Sequence, residues 1–113
     1  MEVKYKICIE KDGRVIFGKG REVVFASIQE TRSLNAAAKK LKMSYRAAWG
    51  RLKASEERTG MKFVEIDSTE RGMHLTPQAK AIMDRFEKLD EDVKSLLNKA
   101  SLDLELLIQN KGK

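Results

Sequence analysis

The amino-acid sequence predicts an α+β fold that is mainly α-helical, and three observations lead to this prediction. The first ten residues alternate between apolar and charged side chains. Three short segments with helical character follow, separated by capping and turn residues. After Pro77, apolar residues recur at steps of three and four. The length of 113 residues and the hydrophobic content of 42% fit one globular domain rather than a disordered chain.

The N-terminal segment predicts a β-hairpin over residues 3–17. In VKYKICIE, apolar residues occupy every second position, which is the period of a strand. Asp12 and Gly13 then supply a turn, because glycine tolerates positive φ and aspartate bonds to its own backbone. The following RVIF is the predicted return strand.

Capping residues divide the next forty residues into helices. Ser33 and Ser44 each precede a helical segment, and a serine hydroxyl can accept a hydrogen bond from a free N–H group at a helix start. The alanines at 36–38 favour a helix and allow another helix to approach closely. Gly60 is a typical residue just beyond a helix end. The three helices are expected at about 20–32, 34–42 and 44–58.

Two extended segments and a long helix complete the chain. KFVEID and MHLT are predicted to pair as a second hairpin, the wing, over residues 62–76. Thr76 and Pro77 then begin a helix over 77–110, with threonine as N-cap and proline in the first helical position. The ending LDLELLIQN also alternates like a strand, but a helix is the preferred prediction. An apolar a/d seam sustained over about three heptads is predicted to pair two copies of the chain through Ile82, Phe86, Leu89, Val93 and Leu96.

This order of elements predicts a winged helix-turn-helix with an N-terminal β-hairpin and a long C-terminal dimerisation helix. Residues 1–76 would form the DNA-binding domain, and 77–110 the dimerisation helix. The charges support a nucleic-acid partner, because seven cations and no acidic residue lie between Thr31 and Ser55. Acidic residues concentrate instead in the last helix. The alternative is a basic face that only contacts solvent.

The start of the third helix is predicted to contact double-stranded DNA. Arg46 lies in its first turn, where arginine can bind guanine through two hydrogen bonds. Trp49 lies one turn from Tyr45, but it could instead pack against the wing or the second helix. Arg71, at the tip of the wing, is placed for a minor-groove or phosphate contact. The predicted DNA-binding residues are Ser44, Tyr45, Arg46, Trp49, Lys53, Arg71, Lys42 and Lys39.

Other functions find little support in the sequence. Cys8 and His74 are the single cysteine and the single histidine, so the chain can form neither an internal disulfide nor a Cys/His metal cluster. No phosphate-binding glycine loop or nucleophile–base pair is present, so we expect no enzyme activity, cofactor or metal. No apolar run approaches the roughly 20 residues that span a bilayer, and the expected location is cytoplasmic.

The residues quoted above carry a family resemblance. SLNAAAKKLKMSYRAAW, the wing and PQAKAIMDRFEKL resemble the N-terminal DNA-binding domain of ModE-type molybdate-responsive regulators, over about residues 14–98. MSYRAAW is the most specific element, and the chain resembles LysR-type regulators more weakly. The ModE-type resemblance implies a homodimer, with Ser44, Tyr45, Arg46 and Trp49 in the recognition helix and Arg71 in the wing.

Two departures from that family limit what the resemblance implies. The family's wing loop is richer in glycine than DSTERGMH. Its members also carry C-terminal molybdate-binding domains, for which 113 residues leave no room, so no molybdate site is expected. The resulting prediction is a sequence-specific transcriptional regulator that binds an inverted repeat as a homodimer. The alternative is a protein–protein interaction adaptor that uses the same scaffold without binding DNA.

Overall fold

The computed structural model describes residues 1–66 and 72–109, so the wing tip with Arg71 lies outside the described residues. It confirms the predicted fold class, a mainly helical α+β chain, with four helices in the described residues. The strands form two separate two-stranded antiparallel sheets. The elements are β1 (Cys8–Lys11), β2 (Arg14–Gly18), α1 (Lys19–Thr31), α2 (Leu34–Lys40), α3 (Tyr45–Thr59), β3 (Val64–Ile66), β4 (Met73–Leu75) and α4 (Pro77–Gln109).

The N-terminal hairpin turns where the sequence predicts. Asp12 has a φ of 53° and Gly13 a φ of 75°, and both positive values are required by the tight turn that matches the twist of paired strands. The pair Lys11–Arg14 closes this turn. A β-bulge next to Ile9 interrupts the register.

The first strand is shorter than predicted, because it begins at Cys8 and not at Val3. Cys8 pairs with Gly18, and α1 starts at the next residue, so the chain before Cys8 has no strand to pair with. It runs along α4 instead. The Val3 N–H donates to Ser101 Oγ at 3.3 Å, and the Tyr5 hydroxyl donates to Asp90 Oδ1 at 3.0 Å.

Four phenylalanines from different elements form the centre of the core. Phe17 of β2 stacks on Phe25 of α1, with ring centroids 5.8 Å apart. Phe63, just before β3, lies 5.0 Å from Phe25, and Phe86 of α4 meets Phe17 edge-on at 4.9 Å. Each is at most 3% exposed. This cluster therefore joins the N-terminal hairpin, α1, the wing and α4 in one core.

The predicted seam of α4 divides into two parts. Phe86 was predicted to pair two copies, but it is 3% exposed because its own chain covers it, and Ile82 also packs against this core. Leu89 and Leu96 are 41% and 66% exposed. The helix continues through the segment that also alternates like a strand, as predicted. No helix within the described residues is long and apolar enough to cross a membrane.

Candidate nucleic-acid interface

Two serine caps and a left-handed residue set the direction of α3. The Ser33 hydroxyl accepts a hydrogen bond from the Ala36 N–H at 3.1 Å, and the Ser44 hydroxyl accepts one from the Ala47 N–H at 3.0 Å. Both predicted N-caps are therefore confirmed. Between α2 and α3, Lys42 has a φ of 56° in the left-handed region, which reverses the chain. The first turn of α3 is fixed by these local features.

The first turn of α3 faces away from the core. Tyr45 is 52% exposed, Trp49 is 45% exposed, and Arg46 is also exposed. The opposite face, with Ala48 and Leu52, is buried against α1 and α2. Trp49 thus lies on the exposed side of α3, where its contact with DNA stays a prediction. The side chains predicted to contact DNA thus lie on an accessible helix face.

The cations near this turn differ in how far their charge is compensated. Lys40 is paired with Glu30 across the α1–α2 junction. Lys53 Nζ lies 3.3 Å from Glu56 Oε1 and 6.0 Å from the centroid of the Trp49 ring. Three other cations are exposed and form no ion pair within the described residues; they are Lys39, Lys42 and Arg46. Uncompensated positive charge is therefore concentrated around the α2–α3 turn.

The wing is held beside the α1–α2 corner by hydrogen bonds that its backbone N–H groups donate. The Met73 N–H donates to the Arg32 carbonyl oxygen at 2.8 Å, and the Leu75 N–H donates to Gln29 Oε1 at 2.9 Å. Gly72 has a φ of 93°, and a Cβ there would lie 2.5 Å from the same Arg32 oxygen. Only glycine can occupy this approach without displacing the backbone. The wing strands are thus fixed beside the helix-turn-helix.

Three polar residues of α3 that the sequence analysis did not select hold the helix in place. The Ser55 hydroxyl donates to the Ile16 carbonyl oxygen at 2.7 Å, at the bulge in the hairpin. Arg58 donates to the Val15 carbonyl oxygen at 2.5 Å. The Phe63 N–H donates to Glu56 Oε2 at 2.9 Å, which connects α3 to the wing. Ser55 lies three residues after buried Leu52, and this spacing indicates in the sequence that Ser55 is on the buried face of α3.

The fold and the outward-facing first turn of α3 define a winged helix-turn-helix protein. A family model for bacterial regulatory helix-turn-helix proteins of the lysR family matches residues 23–80, just over half of the chain. The chain belongs to this lysR family. The family and the fold are those of a regulatory domain rather than of an enzyme. A sequence search of curated proteins found no match.

Solved structures share this fold at low sequence identity. A complex of the CbnR DNA-binding domain with DNA has a TM-score of 0.59 and 21% identity, covering 75% of this chain and 95% of that one. A BenM DNA-binding domain with benA site 1 DNA has a TM-score of 0.57 and 21% identity, covering 73% and 93%. Oxidised Corynebacterium glutamicum OxyR has a TM-score of 0.53 and 23% identity, covering 72% and 26%. The chain thus spans about a quarter of that OxyR chain.

These findings support the weaker of the two predicted resemblances. The family that matches is LysR-type, and the ModE-type likeness is not shown by any of the comparisons. The match begins at residue 23, so the N-terminal hairpin precedes it. At identities below one quarter, the solved structures demonstrate a shared fold and nothing finer.

Proposed function

We propose that this chain is the DNA-binding part of a sequence-specific transcriptional regulator. One observation carries the proposal: the exposed first turn of α3 is surrounded by cations without ion pairs in the described chain. Duplex DNA binds proteins mainly through phosphate neutralisation, and a recognition helix reads base edges in the major groove. Relatives of the same fold were solved in complex with DNA, including the DNA-binding domains of CbnR and BenM.

The proposed DNA contacts are of two kinds, those that position the protein on the phosphate backbone and those that read base edges. Lys39 and Lys42, at the end of α2 and in the turn, would neutralise backbone phosphates and fix the register. Arg46 and Tyr45 would reach base edges, with Arg46 able to bind guanine through two parallel hydrogen bonds. The Ser44 hydroxyl caps α3 and retains a hydrogen that could be donated to a phosphate. Arg71 stays a predicted wing contact from the sequence.

We further propose that α4 pairs two copies of the chain, which then bind an inverted repeat. Leu89 and Leu96 are exposed and Val93 is half-buried along one stripe of this helix. An uncovered apolar stripe is costly in water, and pairing of two helices would bury it. The narrower likeness to ModE-type domains rests on sequence motifs, of which MSYRAAW is the most specific.

The affinity for a selected DNA duplex should fall steeply with salt concentration. If a dimer neutralises about six phosphates, the logarithm of the binding constant should fall with the logarithm of salt concentration with a slope near −5. Duplexes would first be selected from random DNA, and the best one titrated between about 50 and 200 mM salt. A binding constant that does not change with salt would contradict the proposed phosphate contacts.

Replacing Leu96 by lysine should convert the dimer into a monomer. The side chain is 66% exposed in the single chain, so folding should tolerate lysine, whereas a paired seam would have to bury its charge. Analytical ultracentrifugation would report the mass of the particle. Asn98→Lys adds the same charge on the opposite side of α4 and should leave the dimer intact. Equal masses for the two variants would contradict the proposed seam.

A further inference from the structure

A second cluster of cations lies outside the candidate interface, in a cavity between the N-terminal hairpin and the start of α1. The cavity measures about 210 Å³, several times the roughly 30 Å³ that one water molecule occupies in the liquid. No carboxylate is among the described residues that line it. Its charged lining residues are Lys6, Lys19, Arg21 and Arg51.

Most of the positive charge in this cavity is not neutralised. Lys19 Nζ lies 3.1 Å from Glu22 Oε1, so one of the four charges has a partner. Arg51 donates a hydrogen bond to the Gly20 carbonyl oxygen at 3.1 Å, which positions its guanidinium group and leaves the charge in place. The other two cations form no ion pair with any residue that the structure describes.

Arg21 is the most unusual of these cations. Its Nε atom is buried and has no hydrogen-bond partner within residues 1–66 and 72–109. Burial, together with the nearby charges of Arg58 and Arg51, lowers the pKa of Arg21 below its usual range. Arg58 is itself held by the Val15 carbonyl oxygen. Backbone carbonyls therefore hold the guanidinium groups of Arg51 and Arg58 near Arg21, and both charges repel that of Arg21.

We propose that this cavity binds a phosphate-class oxyanion. An oxyanion would accept the hydrogen of Arg21 Nε, and guanidinium groups match phosphate geometry through parallel hydrogen bonds. It would also relieve the repulsion within the arginine cluster. The first turn of α1 also lies at this cavity, and Gly18 at its N-cap makes no side-chain hydrogen bond to the backbone N–H groups there.

Two sources can supply such an anion. One is free inorganic phosphate. The other is a backbone phosphate of bound DNA, and this source rests on the proposed function. Arg51 and Trp49 are two residues apart on α3, so their side chains point to nearly opposite flanks of the helix. The two flanks of a helix in the major groove face the two phosphate backbones, so a phosphate beside the Arg51 flank could enter the cavity.

The first test uses the full chain without DNA. Inorganic phosphate, titrated against chloride at constant ionic strength, should raise the thermal unfolding midpoint saturably, because a ligand of the folded state stabilises it. Arg21→Gln should abolish this rise, whereas Arg14→Gln, which changes an arginine of the N-terminal hairpin outside the cavity, should retain it. The Arg21 Nε–H resonance of the unaltered chain should also shift with phosphate, which provides a readout independent of how Arg21→Gln folds.

The second test uses the selected duplex. If a DNA phosphate occupies the cavity of each protomer, Arg21→Gln should make the salt slope of a bound dimer shallower by about two, one for each lost phosphate contact, and Arg14→Gln should not. If phosphate raised the unfolding midpoint but Arg21→Gln left the salt slope of DNA binding unchanged, the cavity would bind the free oxyanion and not a DNA phosphate. The proposal would be overturned if phosphate shifted neither the unfolding midpoint nor the Arg21 resonance saturably and if Arg21→Gln left the salt slope unchanged. That result would leave the role of α3 intact, since its variants are measured separately.

Discussion

Arg46→Glu is expected to reduce the affinity for the selected duplex by about 100-fold or more. Loss of one bidentate arginine–guanine contact costs about 1–3 kcal/mol, and 1.4 kcal/mol corresponds to tenfold. Charge reversal adds the repulsion between a carboxylate and the phosphates, so the upper end of this range applies. Because Arg46 is exposed and forms no ion pair in the described chain, its replacement should not disturb the fold. Fluorescence anisotropy would measure the dissociation constant, and circular dichroism the helix content.

A matched control distinguishes loss of the Arg46 contact from the effect of a changed net charge. Lys94→Glu makes the same charge change at an exposed position of α4, and it should weaken binding far less than Arg46→Glu does. Lys53→Glu should have an intermediate effect, because Glu56 already compensates part of that charge. If Arg46→Glu and the unaltered chain bound DNA equally, the DNA-reading role of α3 would be wrong. The adaptor alternative would then be favoured, since its complexes do not depend on this arginine.

The features that sequence analysis predicted well are those that depend on near neighbours in the chain. A cap needs one hydroxyl and an N–H three residues away, so Ser33 and Ser44 could be identified from the letters alone. The hairpin turn needs two residues that tolerate positive φ, and Asp12-Gly13 supplies them. The acid-free stretch that includes α2 and the start of α3 could likewise be found by counting charges.

The features that were missed depend on which distant segment covers a residue. Alternation predicts a strand before Cys8, but it cannot show that the partner strand has already ended. The heptad pattern places Phe86 on the apolar side of α4 without showing that Phe17 lies there to cover it. Charge counting places Lys40 on a basic face, but it does not reveal the ion pair with Glu30. Each of these outcomes depends on which segments meet in the folded chain, and a sequence pattern within one segment does not contain that information.

Phe86→Ala is expected to lower the free energy of unfolding by about 3–5 kcal/mol, the usual cost of removing a buried phenylalanine. The side chain is 3% exposed and contacts the Phe17 ring, so its removal leaves a cavity between α4 and the N-terminal hairpin. Chemical denaturation at fixed protein concentration would measure the loss. Phe17→Ala should cost a similar amount, and the double variant should cost less than the sum because the two rings share one contact.

The same variant distinguishes a core residue from a seam residue. If Phe86 belongs to the core, the folded Phe86→Ala chain should retain nearly the unaltered dissociation constant of the proposed dimer, while Leu96→Lys should weaken that dimer. A seam role for Phe86 would produce the reverse pattern, with weakened pairing and little change in the stability of the monomer. Since Phe17 lies in the hairpin that precedes the lysR-family match, a large coupling energy would mean that this hairpin helps to hold α4. The direction in which α4 leaves the domain would then depend on residues outside the shared family core.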